Sequence, residues 1–252
     1  MMKKYSILFL MFSFLLGCNS ENASDCFQKS GDLIQEELPL EDFSQITIFE
    51  GVKLVIKQAD EQKVVLETGE NLRNDIRVEV IEDRLVAYND NSCNLVRDFG
   101  LTTVYVFSPN IKEIRSSTGF LIKSDGVLEY PSLSLLSESF GNPEADTTDG
   151  EFDIEVNNTS VNIISNGIAF FKVSGLTANL NVVFAAGDSR LHAENLMANK
   201  VNVSHRGSND MLVNPQESLT GSLLGTGDLI SYGQPSTVAV EQPYKGKLIY
   251  KD

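Results

Sequence analysis

The chain has 252 residues, 20 Lys and Arg against 35 Asp and Glu, a net charge of −15, two His and no Trp. Such an acidic chain repels nucleic acid and anionic head groups, so neither is expected as a partner through bulk electrostatics. Two histidines exclude a multi-histidine metal centre, and no CxxC or Cys/His spacing points to zinc, so neither a metal nor a cofactor is expected.

Residues 1–17 carry Lys3 and Lys4, then an apolar stretch from Tyr5 to Leu16 that is too short for a mature transmembrane helix, the layout of a secretory signal. Leu15-Leu16-Gly17-Cys18 has the form of a bacterial lipobox, so cleavage before Cys18 and acylation of that cysteine are expected, with the lipid as the membrane anchor. Residues 18–38 are polar and read as a tether. Cys26 and Cys93 are the cysteines left after acylation, and an oxidising envelope permits them to pair; a bond would pin the tether to the domain.

The folded domain is expected over 39–252. Ile46-Thr47-Ile48, Val52 to Ile56, Val64 to Leu66, Ile76 to Val80 and Leu85 to Tyr88 are short strands separated by polar or turn segments, with no persuasive amphipathic helix anywhere after Pro39. Further on, Gly167, Gly187, Gly207 and Gly227 recur every twenty residues, with apolar positions repeating around them: Phe171, Leu191 and Met211; Val173, Ala193 and Val213; Leu176 and Leu196. Two arms of period-two alternation joined at a glycine turn describe the rung of a stacked β-solenoid. The expected fold is all-β, a single-stranded β-solenoid with roughly 20 residues per rung, about ten rungs in all. Gly141 and Gly167 are six residues further apart than one rung, so Pro143 to Gly150 is expected to bulge from the wall, and Gly225 and Gly227 are expected to be turn residues that supply positive φ.

Chemistry is sparse. Glu144, Asp146, Thr147 and Asp149 form a candidate ion-binding or glycosylation loop, carboxylates for calcium and Thr147 as an acceptor hydroxyl. Asp188, Arg190, His205 and Asp210 form a candidate surface patch, in which Asp188, Arg190 and His192 share one strand face and Arg190 lies over Asp210 as a cross-rung ion pair. Paired acids and a base on such a face could also serve a carbohydrate-cleaving β-helix, but the absence of Trp leaves little to hold sugar rings.

The stretch FSQITIFEGVKLVIKQ from Phe43 to Gln58, SPNIKEI from Ser108 to Ile114, and the turns Asn166-Gly167, Ala186-Gly187-Asp188, Arg206-Gly207-Ser208 and Gly225 to Asp228 resemble the head GIN domain family over residues 40 to 250. That resemblance implies a right-handed β-helix, an adhesin-like role, occurrence among Bacteroidetes lipoproteins and a tendency to oligomerise, and it carries over no catalytic residues. His205 and Arg206 depart from the family's small turn residues. The chain is therefore expected to be a non-enzymatic outer-membrane lipoprotein of the cell envelope, periplasmic or surface-facing, held to the membrane by its lipid, that contacts surface polysaccharide, protein or copies of itself.

Overall fold

The computed structural model describes residues 25–251 apart from 92, 142–144 and 146, so Cys18, Glu144 and Asp146 lie outside the described residues. The protein is all-β. Among the described residues seventeen strands form one sheet: β1 (Leu33–Leu38), β2 (Gln45–Phe49), β3 (Val52–Gln58), β4 (Lys63–Gly69), β5 (Ile76–Ile81), β6 (Arg84–Asn89), β7 (Thr102–Ser108), β8 (Glu113–Ser117), β9 (Leu121–Ser124), β10 (Ser132–Ser137), β11 (Glu151–Ser165), β12 (Phe170–Phe184), β13 (Arg190–His205), β14 (Met211–Leu223), β15 (Leu229–Ser231), β16 (Thr237–Glu241) and β17 (Leu248–Tyr250).

The pairings run as two ladders that share the long strands. One follows β1, β4, β7, β3, β9, then the first halves of β11 to β14, then β15 and β17. The other follows β5, β6, β2, β8, β10, the second halves of β11 to β14, and β16. Alternation turns every second residue of a strand inward, and the inward residues of paired strands line up into continuous buried columns. In the first, Leu66, Val104, Leu54, Ile122, Phe152, Phe171, Leu191, Met211 and Leu229 succeed one another, all buried. The Phe152 and Phe171 rings stack at 4.8 Å, and each fully buried ring contributes about 1.5–3 kcal/mol.

Four expectations need correction. The N-terminal half is not a uniform parallel winding: β1–β4, β4–β7 and β5–β6 are antiparallel. Only Glu82 and Asp83 separate β5 from β6, with Glu82 at φ 58, and a connection that short can only fold the chain straight back. Nor does space follow sequence there, since β2 lies between β6 and β8, and β3 between β7 and β9.

The tether expected over 18–38 is ordered from its middle onward. Cys26 and Cys93 are joined by a disulfide, Gln28 is buried and bonded to the Asn71 carbonyl, and β1 pairs with β4 along its whole length. The twenty-residue register holds for Phe171, Leu191 and Met211 but slips at Leu176, which lies opposite Met197 and is exposed, while Leu196 is buried; a bulge between Lys172 and Gly175 accounts for the change of face.

The glycine ladder, finally, is dictated mostly by space. Neither Gly225 nor Gly227 has the expected positive φ, and of Gly167, Gly187, Gly207 and Gly227 only Gly187 does, at 81°. A Cβ on Gly187 would stand 2.1 Å from the Gly167 oxygen, and one on Gly227 2.1 Å from the Asn209 oxygen, because each turn lies directly on its predecessor.

Candidate functional site

The turns between the two ladders position the residues singled out from the sequence. In the three turns that follow β12, β13 and β14 an acid is engaged by the next turn: the Ser208 hydroxyl donates to Asp188 Oδ1, the Asp228 amide donates to Asp210 Oδ1 at 2.9 Å, and the Lys247 amide donates to Asp228 Oδ1 at 2.8 Å. Hydrogen bonds to ionised carboxylates are among the stronger ones, so these acids tie turn to turn. The expected Arg190–Asp210 pair does not form: among the described residues no ion pair involves Arg190, and Asp210 serves the Asp228 amide instead.

His205 is not a surface residue. It is fully buried, with Nδ1 accepting the Gly207 amide at 3.3 Å and Nε2 against the Asn209 carbonyl at 2.8 Å, so the proton is assigned to Nε2. Burial holds its pKa below the usual histidine value, outweighing the Asn209 carbonyl and the charges of Asp210 and Asp228. The imidazole explains its neighbours, since a Cβ on Gly207 or Gly227 would lie 3.0 Å or 2.5 Å from ring atoms.

Asp188 and Arg190 do share a site. They line an open depression of about 560 Å³ with Asp149, Glu151, Ile168, Phe170, His192 and Asn209. Register produces it: Glu151, Phe170 and Arg190 are direct neighbours on β11, β12 and β13, about 4.8 Å apart. Phe170 meets His192 edge-on at 4.9 Å, and Ile168 stands 63% exposed beside it. Below this row Lys172 pairs with Asp153 at 2.9 Å, an exposed pair worth at most about 1 kcal/mol.

Asp149 reaches this site because the end of the expected bulge belongs to the stack. The Ile168 amide bonds to the Thr148 oxygen at 2.9 Å and the Phe170 amide to the Gly150 oxygen at 2.8 Å. Thr147, expected to offer an acceptor hydroxyl, has Oγ1 buried, and Asp149 Oδ1 is buried too; neither has a hydrogen-bond partner among the described residues. No three His, Cys, Asp or Glu side chains among the described residues converge on a metal-sized position. Phe170, Ile168 and Glu151 were not among the residues expected at a site; for Phe170 the signal was that one of the adjacent Phe170 and Phe171 must face out when the other packs.

A second basic cluster is internally compensated. Arg115 and Glu138, both nearly buried, pair directly, and Arg84 bonds Glu113 at 2.7 Å. Burial alone would raise the Glu138 pKa, but the Arg115 guanidinium and the Gly141 amide, at 2.9 Å, outweigh it and hold the carboxyl low.

Residues 42–235 match the family described as "Putative auto-transporter adhesin, head GIN domain". The chain belongs to this family. Solved structures agree on the fold: "a putative adhesin" from Bacteroides fragilis, 20% identical with a TM-score of 0.76, covers 88% of this GIN-domain chain and 99% of its own. A "putative lipid binding protein" from Parabacteroides distasonis is 15% identical with a TM-score of 0.63, covering 88% and 98%. A "putative adhesin" from Parabacteroides merdae is 15% identical with a TM-score of 0.57, covering 89% and 98%. No curated protein matches. No helix among the described residues is long and apolar enough to cross a membrane.

Proposed function

We propose that this GIN-domain chain is an outer-membrane lipoprotein, acylated at Cys18, in which a right-handed β-solenoid presents the Phe170–Arg190–His192 depression to surface polysaccharide. The parallel offsets of 19 to 21 residues through β11, β12 and β13 support the solenoid reading, and the lipobox supports the anchor. One observation carries the binding reading: an aromatic ring, a guanidinium and an imidazole face outward on two adjacent coils, while Asp188 and Asp210 are bonded into turns. A ring face takes the C–H side of a sugar, and fixed polar groups orient its hydroxyls. Acids held by the next coil are poorly placed to trade protons, which favours a binding module over a glycosidase.

A glycan array probed with the intact chain, beside Phe170→Ala and Arg190→Ala, tests this. Retention of a saccharide class by the native chain and its loss in both variants, with unchanged circular dichroism, is expected. Turnover of any retained saccharide would replace the adhesin-like reading with the enzymatic one. Light scattering on the same samples reads the oligomeric state.

A further inference from the structure

The β1 end of the molecule carries apolar side chains that the fold does not bury, and so does the β17 end with Val238, Tyr244, Ile249 and Tyr250. What distinguishes the β1 end is its link to Cys18. There, Phe27 (53% exposed), Leu95 (68%), Val96 (52%) and Phe99 (76%) come from two segments far apart in sequence. They are fastened together: Cys26 is disulfide-bonded to Cys93, the Leu95 amide donates to the Cys26 carbonyl at 3.0 Å, and Arg97 donates to the carbonyls of Gln28 and Cys93, both at 3.1 Å. Beneath them buried Gln28 bonds Asn71 and Asn91, so the exposed side chains stand on a fixed base.

The position of this base identifies what covers it, on the reading that Cys18 is acylated. β1, which follows the strap directly, is the edge strand of an eleven-strand ladder whose other edge is β17, so the two ends are about 48 Å apart. Eight residues separate Cys18 from Cys26, and a fully extended chain of that length spans at most about 28 Å. The β1 end therefore cannot leave the vicinity of the bilayer, whereas no covalent link holds the β17 end, about 48 Å away along the ladder, close to it. Charge agrees. In a chain of net charge −15, the segments 26–33 and 93–99 hold Lys29 and Arg97 against Asp32 and Asp98 and are neutral. Two segments without net charge and tipped with aromatic rings, with Glu70 the one further charge lining the hollow between them, suit the head-group boundary, where rings are favoured.

We infer that Phe27, Leu95, Val96 and Phe99 form a membrane-seating face that dips into the lipid beside the anchor and holds the stack upright, with the disulfide locking its two halves together. The acyl chains supply residence and the apolar tips supply orientation, since tethering already places them at high effective concentration.

The chain has no Trp, so one introduced indole reports without background. The full lipidated chain carrying Phe99→Trp, and separately Tyr244→Trp beyond β16, would be reconstituted in phosphatidylcholine vesicles with and without bromine on the acyl chains. Each would be compared with the same variant carrying Cys18→Ser. Flotation with the vesicles, dependent on Cys18, together with a blue shift and loss of most of the residue 99 emission to bromine, and none at residue 244, is the expected result. Flotation with an unquenched indole at residue 99 would overturn the seating face and leave the anchor standing; a blue shift without bromine quenching would assign the face to a second copy of the chain instead. Absence of both flotation and acyl mass would overturn the anchor, and the seating face with it.

Discussion

Gly175 shows how tightly the coils constrain each other, and alanine there gives a calculable test. Its backbone has φ 103°, and a Cβ would stand 2.0 Å from the Val156 carbonyl oxygen of the coil below. An L-residue at positive φ costs roughly 1–2 kcal/mol. The carbonyl must also retreat by more than about 1 Å, which breaks two or three ladder hydrogen bonds at about 1 kcal/mol net each. Restricting the unfolded chain returns only about 0.4–1 kcal/mol. Gly126 separates the two effects, because its φ is 91° but a Cβ there would meet nothing within 4 Å. Urea unfolding followed by circular dichroism should place Gly175→Ala about 2–5 kcal/mol below the native chain and Gly126→Ala within about 1 kcal/mol of it. The corresponding shift in Tm for Gly175→Ala is on the order of 10 °C. If the two variants came out within about 1 kcal/mol of each other, the stacked carbonyl would not be what demands glycine.

Other outcomes follow from the same geometry. Replacing Cys26 and Cys93 by serine opens a cross-link of sequence separation 67 and should lower stability by about 4.4 kcal/mol in the chain-entropy model, read as a shifted urea midpoint. His205 should impose a pH slope: its folded pKa lies below the ordinary 6.5, the unfolded chain therefore binds the extra proton, and stability falls as pH drops below 6.5 until the folded value is passed. His205→Asn should remove that slope in denaturation curves measured across the same window. Glu138→Gln leaves Arg115 charged and nearly buried without its carboxylate, at a cost of about 3–5 kcal/mol. In the native chain the stabilisation from Glu138, whose folded pKa is depressed, is present above the ordinary 4.5 and fades as pH falls through the folded value, which acid unfolding of the two proteins side by side would register.

What was legible in the sequence was alternation. Phe171, Leu191 and Met211 could be placed in one column because no bulge intervenes between the glycine turns and the starts of their strands. Leu176 and Leu196 could not, since the bulge after Lys172 leaves no mark on composition. In–out alternation is the same for parallel and antiparallel strands, so the reversals of β4 and β5 were hidden, although Glu82-Asp83 carried a turn signal. His205 looked like a turn-flanking surface group because nothing local shows that Gly207 and Gly227 are vacating space for an inward ring. Asp149 and Arg190 lie 41 positions apart, and only the inclusion of residues 147–150 in the stack brings them to one depression.

The interleaving of β2 and β3 sets an order of assembly. Each is flanked on one side by strands that follow soon, β6 and β7, and on the other by β8 and β9, so the block cannot close before the chain has emerged as far as Ser124. From β10 onward each strand pairs with strands that precede it, and the pairing becomes local. The first half of the chain must wait for itself, while the second half is laid down on a finished template as it arrives. Coils removed from the C-terminal end shorten the molecule and leave that template intact; a chain stopped before Glu113 leaves β2 and β3 with an open flank.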